Sequence, residues 1–84
     1  MLVKMEKYIG GIQTRFTSPH GHHEIVAFVE RSPECEISAA VLVDGECVYS
    51  KSRMYPTMSG INPETLASVI KHATGIKVEW EDSK

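Results

Sequence analysis

Several signals that usually announce a chemistry or a compartment are missing from this chain. Its 84 residues contain two cysteines, one tryptophan and two phenylalanines, and no charge of one sign prevails, with nine Lys and Arg against eleven Asp and Glu. A net charge of −2 gives no global pull toward nucleic acid or an anionic membrane. The longest apolar stretches fall far short of the ~20 residues a membrane helix needs. The opening MLVKMEKYIGG carries scattered lysines and no continuous apolar segment of leader length, so a cytoplasmic location is expected. Also missing are a glycine-rich phosphate loop, a nucleophile elbow, a paired Cys-x-x-Cys and a His-Glu-x-x-His. These absences predict a protein that is not an enzyme and calls for no cofactor. The length suits one small domain spanning residues 1 to 84, and the apolar fraction of 42% suits a folded core rather than a disordered chain.

The two cysteines are placed by a hairpin signal. Val41-Leu42-Val43-Asp44-Gly45-Glu46-Cys47-Val48 has Asp-Gly at its centre, the dipeptide that accepts positive φ at both turn positions. Cys47 then faces Leu42, and Cys35 lies seven positions further down the strand. At ~3.3 Å per residue that is about 23 Å, whereas a disulfide needs Cα atoms within ~7 Å. Two separate thiols are expected.

Alternation of apolar and polar residues marks the remaining elements. Tyr8 to Thr17 reads as a first strand, with Gly10-Gly11 marking a bulge or bend. Glu24 to Glu30 is apolar at every inner position and reads as a central strand covered on both faces. The hairpin arms run from about 36 to 43 and 46 to 53. Asn62-Pro63-Glu64 supplies an N-cap, a proline at the first helical position and a first-turn acid. Leu66, Val69, Ile70 and Ala73 form the helix stripe, Ile61 can staple to Leu66, and Gly75 ends it. Ile76 to Trp80 alternates again, as a last strand expected beside the 46 to 53 strand, parallel to it through a right-handed crossover or antiparallel at an edge. The expected fold class is α+β: a two-layer sandwich in the order β-β-β-β-α-β. It would have four or five mostly antiparallel strands and one helix on one face. A helix ~10 Å wide leaves part of such a sheet uncovered.

Two constellations offer function. In Ser18-Pro19-His20-Gly21-His22-His23-Glu24, three imidazoles and a carboxylate cluster, and His20, His22, His23 and Glu24 form a weak candidate metal set. A metal site needs three or four ligands around one point, and proline with glycine favours a solvated turn; charging of neighbouring imidazoles near pH 6 to 7 makes a pH switch a further reading. The second constellation is Tyr49-Ser50-Lys51-Ser52-Arg53-Met54-Tyr55. Period two puts Tyr49, Lys51, Arg53 and Tyr55 on one side, with Tyr49 covering Ala40 and Leu42 and Arg53 facing Glu36. Rings interleaved with cations can dock an acidic protein surface or stack on the bases of single-stranded nucleic acid. Met58, in the apolar loop that follows, adds an adaptable contact. The expected function is a small binding module of inhibitor or adaptor type. Its partner is a protein bound through Tyr49, Lys51, Arg53, Tyr55 and Met58. Single-stranded nucleic acid is the alternative occupant, and a homodimer through the open sheet face is a competing use of the same area.

Overall fold

The computed structural model describes residues 1–31, 36–54 and 61–81, with the side chains of Arg53 and Met54 outside that description. The element order is β1 (Leu2–Val3), β2 (Glu6–Tyr8), β3 (Gly11–Thr17), β4 (Glu24–Arg31), β5 (Ile37–Val43), β6 (Glu46–Met54), α1 (Pro63–Thr74) and β7 (Glu79–Trp80). Strands β2 to β6 form an antiparallel meander in sequence order, and β1 pairs with β7 in a separate two-stranded sheet. The architecture is the expected α+β one. No helix among the described residues is long and apolar enough to cross a membrane.

Three local features close the meander. Asp44 and Gly45 hold φ of 51° and 83°, the doubly positive turn that matches the twist of the two arms. Residues 18 to 23 form the turn between β3 and β4, where the Ser18 N–H donates to the His23 carbonyl at 2.8 Å. Between β2 and β3, Gly11 is required by close approach. A Cβ there would lie 2.7 Å from both the Val29 carbonyl oxygen and the Tyr8 hydroxyl.

Helix α1 begins as its sequence signals dictate. Asn62 is extended, its Oδ1 accepts the Thr65 N–H at 2.9 Å, and Pro63 follows. At the other end the Gly75 N–H donates to the Lys71 carbonyl. Leu66, Val69 and Ile70 are buried against Ile12, Ile25, Ala27, Val29, Ile37, Ala39 and Val41 of β3 to β5, and Ile61 packs on the same core. Each large aliphatic side chain buried this way contributes about 1.5–3 kcal/mol.

Three expectations need correction. The Tyr8–Thr17 segment is two strands, because Gly10 turns the chain and its carbonyl accepts the Arg31 N–H. The last strand does not lie beside β6. It runs parallel to β1, with Leu2 opposite Glu79 and Val3 opposite Trp80. The Glu79 and Glu81 N–H groups donate to Met1 and Val3, and the Trp80 indole N–H donates to the Pro63 carbonyl. The short β7 thereby closes the helix end of the core, with Val3 and Val78 buried. Finally, the β5–β6 register slips twice. Leu42 pairs with Cys47 but Val41 pairs with Tyr49, and Ala39 pairs with Lys51 but Ile37 with Met54. Each slip is an extra residue in β6, so strict period two fails along that strand.

Candidate functional site

The register sorts the sheet into two faces, because directly opposed residues on neighbouring strands point the same way. On the helix side run the rows Lys7–Ile12–Val29–Ala39–Lys51, Thr14–Ala27–Val41–Tyr49 and Phe16–Ile25–Val43–Glu46. On the other side run Tyr8–Gly11–Glu30–Ser38, Glu6–Gln13–Phe28–Ala40–Ser50 and Arg15–Val26–Leu42–Cys47. Burial follows this division. Ala27, Val29 and Val41 are fully buried, whereas Val26, Phe28, Ala40 and Leu42 are only half-buried. The molecule is 20 Å across its shortest axis, room for one sheet and one helix at ~10 Å per layer. Among the described residues nothing covers the second face. The reading of β4 as covered on both sides is therefore corrected: one helix gives one covering layer.

The first bulge in β6 puts Tyr49 and Lys51, which the sequence grouped on one side, on the helix side of the sheet. Tyr49 stands opposite Val41 on the helix side, half-buried, with its ring edge-on to His72 of α1 at 5.3 Å between centroids. It does not cover Ala40 and Leu42. Lys51 is exposed on the same helix side at the sheet edge, beyond the reach of α1. The Arg53 side chain, Tyr55 and Met58 lie outside the described residues. Cys47 has a free, exposed thiol on the open side of the edge strand.

The open face has an apolar centre and an acidic rim. Phe28 and Leu42 lie at its middle, with Val26 and Ala40 beside them. Alternation places Glu6, Glu24 and Glu30 on the same side as Arg15. Arg15 reaches Glu24 only at 3.9 Å, with both side chains more than half exposed, a pair of little energetic weight. The Tyr8 hydroxyl donates to Glu30 at 3.2 Å across Gly11. Partial burial pushes the Tyr8 phenol above its ordinary value, and the Glu30 charge and hydrogen bond add to that. The phenol is therefore held as a neutral donor on this face.

The histidine turn resolves into a structural device. The Ser18 hydroxyl donates to the His20 carbonyl at 2.7 Å and accepts the His23 N–H at 3.0 Å. The His23 Nδ1 lies 2.6 Å from Asp44 Oδ2, while Asp44 Oδ1 accepts the Glu24 N–H at 2.9 Å. That N–H first, and then His23, hold the Asp44 carboxyl below its ordinary value. One side chain thus ties the hairpin tip to the neighbouring turn. His20, His22, His23 and Glu24 do not converge: no three His, Cys, Asp or Glu among the described residues are placed to hold a metal ion. Ser18 is committed to the backbone on both sides, so Ser18, His23 and Asp44 do not form a nucleophile relay.

No protein-family model, curated protein or solved structure matches this chain.

The open face itself follows from the single helix, as the sequence predicts, but Val26 and Phe28 on it do not, because continuous apolar character in β4 looks the same for a doubly covered strand and for one bearing a contact face.

Proposed function

We propose that this protein is a small, non-enzymatic binding module that docks through its open sheet face onto a partner protein with an apolar patch and a basic rim. The observation that carries the reading is the row pattern: Val26, Phe28, Ala40 and Leu42 stay half-exposed beside fully buried neighbours on the other face. An apolar centre with polar surroundings is the anatomy of a protein contact. Five strands at ~4.8 Å and about seven residues at ~3.4 Å give roughly 500–600 Å² of face. That suits a small, transient interface rather than an obligate one. The acidic rim favours a basic-rimmed partner and disfavours a second copy, which would bring glutamates against glutamates. The same rim repels phosphate, and Tyr49 and Lys51 stand on the helix side of the sheet rather than on this face.

The test is a photoreactive residue at Leu42, with Glu64 on the exposed side of α1 as control, irradiated in cells of the source. The expected result is an adduct with a different polypeptide at position 42, absent at 64 and lost when Phe28→Glu is added. Equal labelling at both positions, no adduct, or an adduct of twice the chain's own mass overturns the proposal.

A further inference from the structure

The two faces of the sheet differ in the width of their apolar strips. On the helix side, apolar residues stand on β3, β4 and β5, with Ile12, Val29 and Ala39 in one row and Phe16, Ile25 and Val43 in another. On the open side they stand on β4 and β5, where Val26 pairs with Leu42 and Phe28 with Ala40. Gln13 and Arg15 of β3 flank this strip on one edge, and Ser50 and Cys47 of β6 on the other. Two strands at ~4.8 Å, with the breadth of their side chains, make a strip about 10 Å wide, the diameter of one helix. A second sheet would also cover Gln13, Arg15 and Ser50, polar groups that lose by leaving water.

The covered face shows how this sheet takes a helix. Pro63, at the start of α1, shares a groove with Gly11, Ile12 and Arg31, and Ala73 and Thr74, at its end, share one with Ile25 and Val43. The helix therefore runs along β4, from the Arg31 end to the Ile25 end. Its 12 residues span ~18 Å, and the strand between Arg31 and Ile25 about 20 Å. The open strip, bounded on β4 by Glu30 and Glu24, has the same length.

Charge is uneven along that length. Glu6 stands in the row of Phe28, and Glu30 lies two residues further along β4. Neutral donors orient both carboxylates without offsetting their charge: the Gln13 amide donates to Glu6 at 3.2 Å, and the Tyr8 hydroxyl to Glu30 at 3.2 Å. At the Val26 end, by contrast, Arg15 stands beside Glu24. The other cations of β2 to β4, Lys7 and Arg31, pair with Ile12 and Ile37 and point to the helix side.

We propose that the partner contributes a single amphipathic helix of about 12–14 residues, laid along β4 over Val26, Phe28, Ala40 and Leu42, with its Lys or Arg residues at the end above Glu6 and Glu30. The proposal rests on the contact-face reading and adds the shape and polarity of what docks. The complex is then a three-layer sandwich with a helix on each side of the meander.

The experiment places a short diazirine amino acid at position 26 or 28 of the full chain, in cells of the source, and maps by mass spectrometry the partner residue that each labels. The two positions lie ~7 Å apart along β4, a distance covered by about four residues of helix but only two of strand. The expected adducts fall about three to five residues apart in one partner segment. Glu6→Lys and Glu24→Lys are matched charge reversals at exposed positions. The first lowers the adduct yield at 28 about fivefold, and the second less than about twofold. Adducts two residues apart, or in separate segments, overturn the helix, and equal losses from the two reversals overturn its polarity; either result leaves the contact-face reading standing. No adduct at either position overturns both.

Discussion

The two faces of the meander are built from the same residue types in the same strands, yet they do different work. On β4, Ile25, Ala27 and Val29 alternate with Val26, Phe28 and Glu30, and only the first set meets α1. The covered set holds the fold together through close packing, where loss of even one methylene is felt. The uncovered set, containing the larger Phe28, contributes less to folding because it leaves water only partly. Apolar character alone therefore does not tell core from contact surface. The covering element decides it.

The sharpest stability contrast pairs the helix core with the open face. Ile70→Ala costs about 2–5 kcal/mol in urea denaturation, because it leaves a void in a fully buried site. Leu42→Ala costs about 1 kcal/mol or less, since the site borders solvent. Comparable losses would break the contrast. Gly11→Ala comes next, at about 1–3 kcal/mol. Its Cβ would meet the Val29 carbonyl, a backbone atom of the central strand that cannot swing aside. A melting temperature unchanged by Gly11→Ala would mean that β3 and β4 approach less closely than described.

The smallest effect concerns the turn that joins both faces. Asp44 has its carboxyl held low by the Glu24 N–H and by His23, so the folded state binds its proton less readily than the unfolded chain. Its contribution to stability is full above about pH 5, and drains as pH falls below the ordinary carboxylate value of about 3.9. Chemical denaturation across pH should show the wild type ahead of Asp44→Asn near neutrality, with the gap closing in acid. A gap that is constant with pH would remove the carboxylate from the account.

Most of the fold could be read from local signals. Asn62-Pro63-Glu64 and Gly75 bounded the helix, and Asp44-Gly45 centred the hairpin, because each residue type answers a specific backbone need. What could not be read were the two slips in β6 and the partnership of β1 with β7. A bulge leaves no residue-type signature in Cys47-Val48-Tyr49, yet it moves Tyr49 from the anticipated contact side to the helix side. Leu2 and Val3 are too short a strand for periodicity to register, and their pairing to residues 79 and 80 is fixed only by the tertiary fold. Tyr49 and Lys51 keep the shared side that period two predicts, but the first bulge turns that side toward the helix, while the Arg53 side chain, Tyr55 and Met58 lie outside the described residues. The histidine turn, by contrast, was legible as a turn from Pro19 and Gly21, although its tie to Asp44 was not.

The central claim is that one face of the sheet is covered within the chain and the other is left for a partner. Its most direct test is the thermal unfolding of Phe28→Glu beside Val29→Glu, two neighbours in β4 that face opposite ways. A charge buried at 29 costs more than about 4 kcal/mol and should abolish the cooperative transition, whereas Phe28→Glu should keep it within a few degrees of the wild type. Equal loss of the transition in both variants would contradict the account.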